Sequence, residues 1–115
     1  MSSEKTMLSG NTAMLVLSLL EAKDMYGYQI IEELSKKSED VFCVKTGTLY
    51  PILHDLENSG MLVSYDENAD NRRMRKYYKI TKQGKVLLAE KKAEWDGYTK
   101  AVNQVLDGGV GYAFA

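Results

Sequence analysis

Six cations crowd one short stretch of this chain, DNRRMRKYYKITK at 70–82: Arg72, Arg73, Arg75, Lys76, Lys79 and Lys82. One acid, Asp70, stands at its edge, and Tyr77 and Tyr78 lie in its middle. Cations in a row grip a polyanion, because each one that neutralises a phosphate releases a condensed counterion. The chain as a whole has a formal net charge of −1. Attraction to a polyanion must therefore come from this local patch. The plainer reading is a solvated strand whose cations pair with Asp66, Glu67 and Asp70.

A second set of residues bears on that choice. Leu49, Ile52, Leu53 and Leu56 stand at i, i+3, i+4 and i+7 and read as the buried stripe of a helix. Lys45, Thr46, Thr48, Tyr50 and, one turn on, His54 then face outward at its start. A cation, short hydrogen-bonders and an aromatic ring suit phosphates and base edges. Asp55 opposes this if it shares their face. His54 is the only histidine and Cys43 the only cysteine, so a metal site and a disulfide framework are not expected. His54 is either a plain surface residue or a DNA contact. No nucleophile–base pair or pair of pocketed carboxylates suggests an enzyme, and no cofactor is implied.

The elements that must position these residues follow from periodicity. At 115 residues, 44% hydrophobic and 27% charged, the chain reads as one soluble domain. Its apolar run at 13–20 is too short for a bilayer and is followed by Glu21, Lys23 and Asp24 without a cleavage site. A cytoplasmic protein with no membrane partner is expected. A first helix starts near Ser9 or Asn11, capped by either, and ends near Lys23. It is apolar around most of its circumference, a first hint of a partner. A second covers 27–37. The third carries Leu49–Leu56, with Thr46 or Thr48 as cap, Pro51 near its first turn and Gly60 as its stop. Strands at 61–65 and 75–81 flank a long polar loop, Asp66 to Arg73. Alternation sends Arg75, Tyr77 and Lys79 to one face and Lys76, Tyr78 and Ile80 to the other, with Tyr78 inward and Tyr77 free for a phosphate. A last helix at 82–107 sets Leu88, Trp95 and Val102 seven apart, with Tyr98 and Val105 between and after them.

Helix, helix, helix, hairpin and long helix make a mainly α fold with a small β-hairpin: a winged helix-turn-helix plus a long C-terminal dimerisation helix. The expected units are a winged-helix DNA-binding domain at 1–81, a dimerisation helix at 82–107 and a flexible tail at 108–115. In such a fold the third helix enters the major groove and the hairpin, or wing, reaches the backbone. Here those would be residues 46–58 and 66–76.

Three motifs in order, YGYQIIEEL at 26–34, GTLYPILHDLENSGML at 47–62 and RKYYKIT with Gly84 at 75–84, resemble the PadR-like family of bacterial transcriptional regulators. The long last helix with Trp95 is similar to its small, single-domain branch. The resemblance implies a homodimer joined through its first and last helices. It implies double-stranded DNA as partner, through pseudo-palindromic operators, most often in repression. Thr46, Thr48 and Tyr50 match the start of the recognition helix, Arg73, Arg75 and Lys76 the wing's cations, and Trp95 an interfacial aromatic. Asp55 stands where members often carry Arg or Lys, and the wing tip ENADN lacks their glycines. Some relatives release DNA on binding a flat aromatic compound between subunits. Trp95 is the matching aromatic here, and Met7, Met14, Leu17 and Tyr98 are the residues that would line a pocket beside it, although the methionines read first as ordinary core filling. On pattern alone Trp95 also reads as plain interface core, with Leu88, Tyr98, Val102 and Val105. A dimeric winged-helix module that binds a protein or small molecule but not DNA is the rival reading.

Overall fold

The apolar spacing of the first helix places it at the centre of the molecule. A computed structural model describes residues 3–70 and 73–113, and of the side chains those at 11–68 and 74–107. The order is α1 (Ser3–Ala22), β1 (Met25–Tyr26), α2 (Gly27–Lys37), α3 (Thr46–Asn58), β2 (Leu62–Asp70), β3 (Arg73–Ile80) and α4 (Lys82–Ala113). Val16, Leu17, Leu19 and Leu20 of α1 are buried, and α1 touches α2, α3, β3 and α4. The apolar circumference that hinted at a partner is thus covered largely by the chain's own elements. Each such side chain contributes about 1.5–3 kcal/mol on burial. Ile30 and Leu34 of α2, Leu49, Leu53 and Leu56 of α3, and Leu62, Tyr78 and Ile80 of the sheet complete the core.

Helix α3 begins and ends as its local chemistry requires, with two changes from expectation. Its N-cap is Lys45, whose carbonyl accepts from the Thr48 and Leu49 amides at 2.9 Å, and no side chain caps it. Thr46 and Thr48 lie inside the first turn, exposed, because the extended Lys45 backbone takes the cap position one residue earlier. Pro51 lies deeper than expected: with the cap at Lys45 it is inside the helix, past the first turn, and it cannot supply the amide donor that the Gly47 carbonyl would otherwise receive. At the other end Gly60 adopts φ +83, the left-handed conformation that stops a helix cheaply only at glycine. The Met61 amide bonds the Leu56 carbonyl at 2.8 Å and the Gly60 amide the Glu57 carbonyl at 3.0 Å, closing a Schellman turn.

The sheet is antiparallel with order β1-β3-β2. Its third strand, two residues long, pairs Met25 with Tyr78 and Tyr26 with Tyr77, and periodicity gives no sign of so short an element. The wing strands also run further than their β-propensity suggests, taking up most of the expected loop. Register sets Asp66 opposite Lys76 and Glu67 opposite Arg75, so residues of opposite charge face each other across the strands where apolar residues end.

Thr81 joins sheet to last helix. Its hydroxyl accepts from the Gly84 amide at 3.0 Å, capping α4, and donates to the Gly60 and Met61 carbonyls at 2.7 and 3.0 Å. Helix α4 continues to Ala113, past the expected stop at 107. Glycine lowers helix propensity by about 1 kcal/mol without forbidding the helix. Likewise α1 reaches back to Ser3, beyond both Ser9 and Asn11. A helix of 32 residues is about 48 Å long. The molecule accordingly measures 64 × 28 × 27 Å.

Candidate nucleic-acid interface

The core face of α3 dictates its opposite face. With Leu49 and Leu53 fully buried, Lys45, Thr46, Thr48, Tyr50, His54 and Asp55 are exposed. The expected outward set is brought to one side of the helix, and Asp55 joins it. His54 Nδ1 lies 3.4 Å from the Asn58 side-chain amide nitrogen, one turn along.

Strand β3 runs beside this surface. Two adjoining grooves separate them, one lined by Tyr50, Pro51, His54, Asp55, Lys76 and Tyr78, the other by Tyr26, Gly27, Tyr28, Tyr50, Arg75, Lys76 and Tyr78. Tyr50, Lys76 and Tyr78 line both. Tyr78 is buried beneath, as alternation predicts. Burial pushes its phenol pKa up, with the nearby Glu57 carboxylate and Tyr50 adding to the shift, so it stays a neutral floor.

Lys76 is held at the groove by two interactions. Its ammonium lies 3.8 Å from Glu57 Oε1 and 5.7 Å from the Tyr78 ring centre. Glu57 in turn accepts a 2.5 Å hydrogen bond from Ser64 Oγ on Oε2. One carboxylate on the last turn of α3 thereby ties the helix to both wing strands. The ion pair is half exposed at the lysine, and pairs of that kind contribute about 0–1 kcal/mol. Residue patterns do not point to this partner, since Glu57 is far from Lys76 along the chain and outside the acids of the hairpin.

Arg75 and Tyr77 are placed differently. The Arg75 guanidinium sits 4.4 Å from the centre of the Tyr26 ring, a cation–π contact. Tyr77 is stacked on Tyr65 at 5.7 Å and meets Tyr26 edge-on at 5.5 Å. Its ring is partly buried in an aromatic row across the sheet and does not line either groove. Arg72 lies outside the described residues, as do the side chains of Arg73 and Met7. The backbone of Arg73 pairs opposite Asp70.

The expected dimer and ligand residues divide into two groups. Leu88 is 1% exposed and Leu17 0% exposed, both within the chain's own core, and Met14 packs against that core. Trp95, Tyr98 and Val105 are instead 41%, 60% and 81% exposed, with Val102 intermediate. The Trp95 and Tyr98 rings lie 6.0 Å apart. Among the described residues no cluster of side chains could hold a metal ion, and no helix is long and apolar enough to cross a membrane.

Comparison with known proteins agrees with this geometry. A transcriptional regulator from Clostridium thermocellum superposes with a TM-score of 0.79 at 31% identity, covering 86% of this chain and 96% of that one. A PadR family transcription regulator from Clostridium difficile R20291 gives 0.70 at 38% identity, covering 82% and 96%. An uncharacterised protein of Lysinibacillus sphaericus is 32% identical over 101 residues, 88% of this chain and 93% of its own length. Residues 16–90, from the buried heart of α1 through the wing into α4, match the Transcriptional regulator PadR-like family, and the chain belongs to that family.

Proposed function

We propose that this regulator acts as a sequence-specific, homodimeric DNA-binding repressor. The observation that carries the reading is the convergence of Tyr50 and His54 from α3 with Lys76 from β3 on one groove. Helix α3 supplies groups for base edges and the wing supplies cations for the backbone. Two-fold symmetry then sets half-sites about 10 bp apart. The dimer forms through α4 from Trp95 onward, where Trp95, Tyr98 and Val105 are exposed with Leu106 beside them. Leu88 stands in the chain's own core and leaves the seam to the residues after it. Repression is the sign the family resemblance favours. Release by a flat aromatic ligand would use Trp95 and Tyr98, and the ligand must bind the DNA-incompetent arrangement more tightly to shift the equilibrium.

The test is Lys76→Ala. Removing one ammonium per protomer weakens binding to every duplex alike. It also lowers the slope of log K against log salt by about 0.9 for each phosphate that is no longer neutralised. An unchanged slope removes Lys76, and with it the groove, from the DNA interface.

A further inference from the structure

The geometry points to Gly27 as a positioning residue for DNA reading: it is the seat on which the Tyr50 ring rests, and it sets the direction from which that ring meets a base pair. This rests on the DNA-binding reading above and goes a step further into the same surface.

Gly27 opens α2 and is buried. A Cβ built on it would lie 2.6 Å from Cζ and 3.0 Å from Cε1 of Tyr50, and would overlap the tyrosine hydroxyl. Real side chains do not approach so closely, so any residue with a Cβ at 27 must drive the ring elsewhere. The backbone itself makes no such demand. Gly27 is absent from the positive-φ positions, and its conformation suits alanine as well as glycine. Space for Tyr50 is what the glycine provides.

The other determinants of Tyr50 are fixed from below. Its neighbour Leu49 and the next turn's Leu53 are fully buried, so the Cα of residue 50 cannot move without opening the core. Only the side-chain torsions remain, and the surface of Gly27 selects among them. With the ring seated, 43% of Tyr50 still faces outward, between the cations Arg75 and Lys76 and the aromatic Tyr28 that line the same groove. An aromatic ring held in one rotamer presents a fixed edge and hydroxyl, which is what discrimination between base pairs needs. A displaced ring would still be present but aimed elsewhere.

The experiment enriches duplexes of about 24 bp, enough for two half-sites, from a random pool with the wild-type protein. Affinity is then measured for the best duplex and for its scrambled version. Four proteins are compared: wild type, Gly27→Ala, Tyr50→Ala and the double variant. Gly27→Ala is expected to weaken binding to the selected duplex about tenfold, the order of one base-edge interaction, and to leave the scrambled duplex unchanged. Tyr50→Ala should do the same, and the double variant should be no weaker than either single one. Wild-type affinity in Gly27→Ala, or a loss that adds in full to that of Tyr50→Ala, overturns the inference while the DNA reading stands. If the wild-type protein enriches no sequence, the DNA reading itself fails and the inference with it. If Gly27→Ala does not fold, the double variant decides. Recovery of the fold on removing the ring is the expected result, and continued unfolding shows that Gly27 serves something other than Tyr50.

Discussion

The hydroxyl of Tyr65 donates a 2.6 Å hydrogen bond to Oδ2 of Asp24, across 41 positions of sequence. It fastens the wing's edge strand to the turn before β1 and closes the aromatic row Tyr26–Tyr77–Tyr65. The bond needs the phenol proton. It pushes the Tyr65 pKa from 10.0 up to about 12, with partial loss of hydration and the Asp24 charge assisting. A raised pKa means stability that is whole below the unfolded value and lost as pH rises through the folded one. Thermal midpoints should therefore fall between about pH 10 and about pH 12. In Tyr65→Phe that part of the fall should be missing, and an alkaline profile identical to wild type would show that the bond carries no stability.

The entry to α4 depends on two small residues. Thr81→Ala removes the helix cap and two hydrogen bonds to the α3 stop, and should cost about 1–2 kcal/mol in urea unfolding. Gly84→Ala sets a Cβ 2.7 Å from Ile80 Cγ1 and overlaps the Met61 carbonyl oxygen, a backbone atom that cannot swing away. Overpacking of that kind costs about 1–3 kcal/mol and outweighs alanine's better helix propensity. A Gly84→Ala protein as stable as wild type would mean that α4 can slide on the sheet.

Gly97 offers the opposite case. Nothing lies within 4 Å of a Cβ built there. In an isolated chain Gly97→Ala should stabilise α4 by about 0.5–1 kcal/mol. If two α4 helices approach closely at this point in a dimer, the same change weakens self-association. Sedimentation equilibrium across a concentration series separates the two effects, and a dimer unaffected by Gly97→Ala places the close approach elsewhere.

Glu57 holds Lys76 and accepts from Ser64 at once. Glu57→Gln keeps an acceptor for Ser64 and removes the negative charge beside the groove. Affinity for any duplex should rise several-fold at low salt, and the gain should shrink as the Debye length falls to about 8 Å at physiological salt. A loss of affinity instead would mean that the charge is needed to hold Lys76 in place.

Much of this surface is readable from residue types. The bounds of α2 and α3, the outward set from Lys45 to His54 and the inward turn of Tyr78 follow from periodicity that a buried core enforces. What is not readable arises between residues distant in sequence. The two-residue β1 has no periodicity of its own and exists because β3 offers it an edge. The length of the wing shows only once the strands meet in register, with Asp66 opposite Lys76 and Glu67 opposite Arg75. Tyr77 reads as free by alternation, yet its two ring neighbours come from β1 and β2. Glu57 and Gly27 look like ordinary residues of helical motifs until folding sets them beside Lys76 and Tyr50.

Sequence-specific DNA binding through α3 and the wing is the proposal on which the Lys76, Glu57 and Gly27 predictions depend. Fluorescence anisotropy of a labelled duplex from this gene's own upstream region, against a scrambled duplex at two salt concentrations, probes it without an intermediate step. Tight binding to the upstream duplex alone, weakening steeply as salt rises, is the expected result. Weak and equal binding to both duplexes would contradict it for that region and move the non-DNA interaction module ahead.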